Sequence, residues 1–319
     1  MPRRQPALGR TRHPDPGPCR LPEQRTRTAG RASDPARPGG RRRALRRDGH
    51  RAGRPRVKQP PNPLNTRPQA REWLWDLNPR SSAADVTLVL LPHSGGSAQS
   101  YGEWGRWFPS TVRVVAAQYP GRGARYGQDP VTEIAALADP LAEVLAGLDT
   151  PVHVFGHSLG ALVGFEVCWR LQQAARPATV FHPSAAAAAH VHRSAAVSPA
   201  RLTDAELLEL LAERGGMPED ILAEPDLIDL VLDACRTDMA VTDSYSYGGD
   251  DRRLDCPVIA FGGDTDSAVP VAELERWSEL THADSEIHVL TGGHFYLHDH
   301  MATLTGVVRQ HLQERSSLG

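Results

Sequence analysis

The sequence contains one lysine, Lys58, among 36 basic residues; all the others are arginine. That skew fits a GC-rich coding sequence more readily than any folding requirement. Long apolar runs are missing as well. No stretch approaches the roughly 18 consecutive apolar residues of a membrane-spanning helix, so a spanning segment is excluded. Cysteine is scarce: Cys19, Cys168, Cys235 and Cys256 are widely scattered, with no C-x-x-C pair and no metal-ligand spacing. They read as reduced thiols of a cytoplasmic protein, with Cys168 and Cys256 expected inside the core as small apolar residues. Aromatic residues are absent before Trp73. The arginine run from Arg41 to Arg47 therefore lacks the stacking platforms of single-strand binders, and nucleic acid is not an expected partner. No apolar segment follows Arg3-Arg4, so an export signal is not expected either.

The formal net charge of −2 averages two unlike parts. Residues 1–70 carry 19 basic and 4 acidic residues together with 13 of the 27 prolines, whereas residues 71–319 carry 17 basic and 34 acidic residues. The first part reads as a basic, Pro/Arg-rich disordered tail, with too little apolar surface to offset its chain entropy. The alternative is a mis-called start, in which a GTG codon at Val57 begins the protein and residues 1–56 are not made. The second part, about 250 residues, is long enough to bury a sizeable core by itself.

Within that part, strand-like and helix-like segments alternate. Val86–Leu91, Val112–Ala117 and Val152–Phe155 are short apolar runs, and Val258–Phe261 and Ile287–Leu290 are two more near the end. Val131–Leu148 and Ala161–Leu171 have helical spacing. Continuously apolar strands separated by helices predict an α/β domain: a mostly parallel sheet covered by helices. Residues 200–247 break the rhythm with successive helix signals and no strand. Thr203-Asp204-Ala205-Glu206 is a capping-box pattern opening Leu207–Arg214, and Pro225–Ala240 is amphipathic. A helical insertion of this kind is expected to be a lid over a site at the sheet's C-terminal edge.

Gly156-His157-Ser158-Leu159-Gly160 follows the Val152–Phe155 run and precedes a helix. This is G-x-S-x-G in the context that its chemistry needs: a turn tight enough to strain the serine, with glycines two residues to either side relieving the crowding. A serine hydroxyl needs a neighbouring base, and this fold orders the residues Ser, acid, His along the chain. His294 is the expected base. Asp266 is the expected acid, preferred over Asp264 because it lies farther into the loop after Phe261-Gly262-Gly263. A metal site built from His294, His298 and Asp299 lacks any further ligand pattern and is not expected. The Gly-rich loop Pro92–Ala98 is no phosphate cradle, having neither G-K-[ST] nor G-x-G-x-x-G. It is the natural second half of an oxyanion hole, with backbone N–H groups of Ser94 and Leu159 as the expected donors.

The sequence resembles the type II thioesterases associated with nonribosomal peptide and polyketide synthases. The resemblance covers about residues 73–315. It rests on Leu91–Ser97, Gln118-Tyr119-Pro120-Gly121-Arg122, the serine elbow, Tyr245-Ser246-Tyr247, Asp255-Cys256-Pro257 and Gly292-Gly293-His294-Phe295-Tyr296-Leu297. The resemblance implies an α/β-hydrolase fold. It also implies a stand-alone serine hydrolase that removes acyl or aminoacyl groups from the phosphopantetheine arm of acyl or peptidyl carrier proteins, clearing misprimed or stalled synthases, with no metal or redox cofactor. No carrier-type Asp-Ser-Leu motif precedes the domain, and a monomer is expected. Carrier proteins are acidic, as this domain is, so local basic residues such as Arg122 and Arg125 are expected to meet them. A carboxylesterase or acyltransferase of the same fold, or a catalytically silent acyl-carrier-binding protein, are the alternatives. Three departures from the family stand out: Gly123 for a usual Glu, Ser94 for a common Ala, and the alanine- and histidine-rich stretch His182–Ala196 where the family has a Ser-Gly strand end.

Overall fold

Of the five strands that are buried at every position, four coincide with runs read from the sequence: Val86–Leu91 (β2), Val112–Ala117 (β3), Val152–His157 (β4) and Val258–Gly263 (β6). Side chains alternate across a strand, so burial at every position demands a packed layer on both faces. The computed structural model supplies both layers; it describes residues 68–79, 84–194, 198–216, 224–249 and 251–316. The chain divides into two units, Met1–Arg56 and Val57–Gly319, and every described residue belongs to the second. The expected tail and the alternative start at Val57 lie outside the described residues.

Leu74–Asp76 (β1), Val180–Ser184 (β5) and Ser285–Leu290 (β7) complete a seven-stranded sheet in the order β1-β3-β2-β4-β5-β6-β7. Only β1 is antiparallel, running against β3. The described helices are Pro68–Trp73 (α1), Ile134–Ala146 (α2), Leu159–Gln173 (α3), Asp204–Glu213 (α4), Pro225–Asp243 (α5), Val271–Glu275 (α6) and Met301–Ser316 (α7). On one face, Leu137, Leu141 and Leu145 of α2 and Phe165, Val167 and Leu171 of α3 share an apolar cluster with the sheet. On the other, Leu304, Val308 and Leu312 of α7 pack with Tyr101, Trp104 and Phe155. This is the α/β-hydrolase architecture. Among the described residues no helix is long and apolar enough to cross a membrane.

Strand β5 is an addition to the sequence reading. Pro183 lacks the N–H that an interior strand normally donates, so pairing with β6 is confined to Phe181↔Val258 and Ser184↔Phe261. On the β4 side the register runs without a break from His153↔Val180 to His157↔Ser184. Helices α4 and α5 fall where the helical insertion is expected and form a third apolar cluster of their own: Leu207, Leu211, Leu232, Cys235 and Met239. The capping box opens α4 as its sequence dictates, with the Thr203 N–H donating to Glu206 Oε2 at 2.8 Å.

The segment after α5 is tied down by a buried carboxylate. Glu166 of α3, 6% exposed, accepts hydrogen bonds from Arg252 (2.9 and 2.8 Å), from Arg170 and from the Tyr245 hydroxyl at 2.9 Å. Burial pushes the Glu166 carboxyl up, but the donors outweigh it and hold it below its ordinary 4.5. A carboxylate with a lowered folded-state pKa stabilises fully above its unfolded value and loses that contribution as pH falls through the folded value. Glu166→Gln is therefore expected to cost about 2 kcal/mol at pH 7. The gap to the parent should close in acid below the ordinary carboxylate range, as urea unfolding at a series of pH values will read.

Candidate active site

β2 feeds β3 on one side of the sheet, while β4 feeds β5 on the other. The loops leaving the C-terminal ends of β2 and β4 therefore diverge and open a crevice, the usual ligand site of an open parallel sheet. Ser158 stands at that point, on the turn from β4 into α3, with φ 55° and ψ −118°. Such a backbone costs about 1–3 kcal/mol and persists only where its surroundings over-determine it. The flanking glycines supply the constraint. A Cβ on Gly156 would lie 2.0 Å from the Gly160 carbonyl oxygen, and one on Gly160 would lie 2.1 Å from the Leu91 carbonyl oxygen. The Ser158 N–H also donates to the Ser184 carbonyl at 2.8 Å, pinning the elbow to β5.

The Ser158 hydroxyl is 3.0 Å from Nε2 of His294, and Nδ1 of His294 is 2.8 Å from Oδ2 of Asp266. A carboxylate only accepts, so the hydrogen sits on Nδ1 and Nε2 is left facing the serine. The Asp266 side chain is 1% exposed and its other oxygen accepts the N–H groups of Ala268 (2.9 Å) and Val269 (3.3 Å). Asp264, the rival carboxylate, is exposed and turned elsewhere: its Oδ1 accepts the Gly292 N–H at 2.8 Å and braces the turn before His294. The structure thus brings together Ser158, Asp266 and His294 and leaves Asp264 outside the chain of hydrogen bonds. His298 stacks on Phe295 and, among the described residues, is not one of the donors grouped within ligand distance of one another.

 Among the described residues, the grouped donors are Glu286, His288 and His311, on β7 and α7, where Glu286 faces both imidazoles at 3.2 and 3.5 Å.

Two further histidines stay neutral at pH 7. Burial pushes His157 well below its usual range; its Nδ1 lies 2.8 Å from the Ser184 hydroxyl, which in turn lies 2.7 Å from the Tyr296 hydroxyl. Burial likewise brings His93 down to about 4, and its Nδ1 donates to the Ser94 carbonyl at 3.0 Å. Leu159 opens α3, so its N–H has no carbonyl of its own helix one turn back. Leu159 and Ser94 line the same cavity of about 300 Å³ as Ser158 and His294.

The alanine-rich stretch forms one wall of that cavity, through Ala185, Ala186 and Ala187. Ala185 has φ 47°, a left-handed conformation that costs an L-residue roughly 1–2 kcal/mol and a glycine almost nothing. It follows Ser184 at the end of β5, within the stretch where the sequence departs from the family's Ser-Gly strand end. A second cavity of about 460 Å³ shares His93, Ser94, Leu211 and Phe295 with the first and reaches the exposed side chains of Tyr126, Leu227 and Leu230.

Residues 86–312 match the thioesterase domain family. The chain is 32% identical over 308 residues to a probable cadicidin biosynthesis thioesterase of Streptomyces griseus, covering 91% of this chain and 82% of that one. It is 31% identical over 232 residues to the gramicidin S biosynthesis protein GrsT of Aneurinibacillus migulanus, covering 72% and 90%. Its fold matches the type II thioesterase BorB from the borrelidin biosynthetic cluster with a TM-score of 0.70 and 34% identity, over 75% of this chain and 97% of that one. The chain belongs to the type II thioesterases of nonribosomal peptide and polyketide pathways.

The structure corrects one expectation. Arg122 and Arg125 are buried, at 7% and 8% exposure, and offer no surface charge to an acidic carrier. Arg122 pairs with Asp238 of α5 through both carboxylate oxygens. Arg125 lies 4.1 Å from the Trp73 ring centroid and 3.2 Å from Glu72. Asp238 itself escaped the sequence reading. Its signal was a charged residue three positions after Cys235, on the apolar side of an amphipathic helix.

Because the elbow depends on contact between backbones, a methyl group at Gly160 has no room. Gly160→Ala is expected to destabilise the fold by about 1–3 kcal/mol or more, measured as a lowered Tm.

Proposed function

We propose that this chain hydrolyses acyl or aminoacyl thioesters carried on phosphopantetheine, with Ser158 as nucleophile, His294 as general base and acid, and Asp266 as the group that orients His294. The observation that carries the reading is the continuous chain Ser158–His294–Asp266, at 3.0 and 2.8 Å, opening into a cavity beneath α4 and α5.

His294 Nε2 takes the Ser158 proton as Oγ attacks the thioester carbonyl carbon. The developing oxyanion is held by the N–H groups of Ser94 and Leu159, with the positive end of α3 behind it. As the C–S bond breaks, His294 returns the proton to the departing thiol and leaves an acyl-Ser158 ester. His294 then deprotonates water, which attacks that ester, and the proton passes back to Ser158 as the free acid leaves. Nucleophile, base and oxyanion donors are all supplied by the chain, so the steps call on no metal or redox cofactor. The first cavity, at the small end of the roughly 300–1,000 Å³ usual for ligand sites, suits a short acyl or aminoacyl group. The second cavity offers a route for the pantetheine arm between the β2 loop and α5, which act together with α4 as a lid. Free thiols at Cys168, Cys235 and Cys256 accord with a reducing cytoplasm.

The test is release of free acid from an acyl-loaded carrier protein, followed by intact mass spectrometry. Ser158→Ala and His294→Ala are expected to lose at least about 10³-fold in kcat, and Asp266→Asn about 10³–10⁴-fold. Asp264→Asn should stay within about threefold of the parent; a loss as deep as that of Asp266→Asn would move the acid to Asp264. Faster turnover of simple oxygen esters than of the loaded carrier would favour a carboxylesterase, and acyl transfer to an added acceptor an acyltransferase. Tight carrier binding without turnover would favour a silent binding protein.

A further inference from the structure

Helix α5 reaches across the crevice and holds the backbone of the β2 loop. Asp238, 1% exposed, accepts the Gly95 N–H on Oδ2 at 2.8 Å. The same carboxylate takes both terminal nitrogens of Arg122, one of them at 2.6 Å from Oδ1. Arg122 also reaches the Gly96 carbonyl at 3.4 Å. The Gln118 side chain closes the frame, donating to the Arg122 carbonyl at 2.8 Å and accepting the Ala98 N–H at 3.3 Å. One turn before Asp238, Cys235 presses on the same peptide: Sγ is 3.7 Å from the Ser94 carbonyl, and a Cβ on Gly95 would lie 2.2 Å from that sulfur. Gly95 has φ +75°, so both its conformation and the space around it require glycine.

The peptide between Ser94 and Gly95 is therefore held at both ends. Its carbonyl is met by His93 and Cys235, and its N–H by Asp238. Resting on the assignment of the Ser94 N–H as an oxyanion donor, we propose that Asp238 is a positioning residue that couples the lid to the oxyanion hole: the hole is assembled only while α5 is seated. An α5 that lifts away must separate a bidentate ion pair and strand the Arg122 charge in the interior, a change that is costly at small displacements. The seated and lifted states are thus two distinct arrangements rather than a continuum, and hydrolysis belongs to the seated one.

Three variants separate positioning from simple stability. Asp238→Ala removes both the acceptor for Gly95 and the partner of Arg122, and is expected to lower kcat about 10–100-fold with KM within about threefold, a part of the 10²–10³ that a whole oxyanion donor supplies. Asp238→Asn keeps an acceptor for Gly95 but leaves Arg122 unbalanced, so its Tm falls while most of kcat remains. Arg122→Met combined with Asp238→Ala leaves no stranded charge, so its Tm recovers while kcat stays low. A trifluoromethyl ketone analogue, which forms an oxyanion adduct on Ser158, should lose affinity for Asp238→Ala by the same factor as kcat/KM, whereas a thioether analogue of the acyl-pantetheine, which forms none, should bind unchanged. If kcat follows Tm across the three variants, or if both analogues weaken equally, the coupling is overturned. Ser158→Ala in the same series keeps the two readings apart. Full activity there removes the serine mechanism itself, whereas an inactive Ser158→Ala beside a fully active Asp238→Ala removes only the coupling.

Discussion

The turn at Ser158 is a backbone conformation that the residue would not adopt by itself, and the surrounding architecture follows from holding it there. Gly156 and Gly160 let β4, α3 and β2 approach to distances at which any Cβ would collide with a carbonyl oxygen. The Ser184 carbonyl fixes the turn from the β5 side, and the His157–Ser184–Tyr296 chain joins it to the loop that carries His294. A strained elbow is useful only if the groups around it are equally immobile, and here the neutral state of His157 matters. A protonated imidazole in that buried position would set a positive charge beside His294 and weaken the polar chain through Ser184.

Much of this was legible in the sequence, for identifiable reasons. β2, β3, β4 and β6 are mostly apolar on both faces, Thr87, Arg113, His153 and His157 aside, and a strand buried on both faces leaves that signature directly. The elbow was legible because its glycines are required by contact, at fixed spacing from the serine. Strand β5 was not, because His182 and Pro183 interrupt the pattern and Pro183 withholds a ladder hydrogen bond; its place is fixed by β4 on one side, a tertiary effect that local propensity does not register. The choice between Asp264 and Asp266 rested on two residues of loop. Backbone N–H donors from Ala268 and Val269 hold Asp266, while Asp264 is engaged by Gly292 instead.

The arginines mark where sequence reasoning turned the wrong way. A charged residue is exposed by default, so Arg122 and Arg125 read as surface features. Their actual positions depend on partners far along the chain: Asp238 for Arg122, and Trp73 with Glu72 for Arg125. No local pattern ties residue 122 to residue 238. The only hint was the complementary anomaly, an aspartate on the apolar side of α5, and two such anomalies are best read as a pair.

Buried ion pairs add little net stability compared with apolar packing, but they penalise misplacement heavily. That distinction gives Arg122–Asp238 and the Glu166 cluster a common logic. Helices α4 and α5 have their own apolar cluster and so gain less from the sheet than α2 or α3 do. A segment held mainly by apolar contact could slide over the crevice with small loss. Two charged anchors, one at Asp238 within α5 and one through Tyr245 just after it, make the seated position discrete instead. Arg122 is thereby withdrawn from the surface, leaving Tyr126, Leu227 and Leu230 as the exposed large apolar side chains along the second cavity. Charge in this region is spent on internal register, and what the mouth presents to a partner is predominantly apolar.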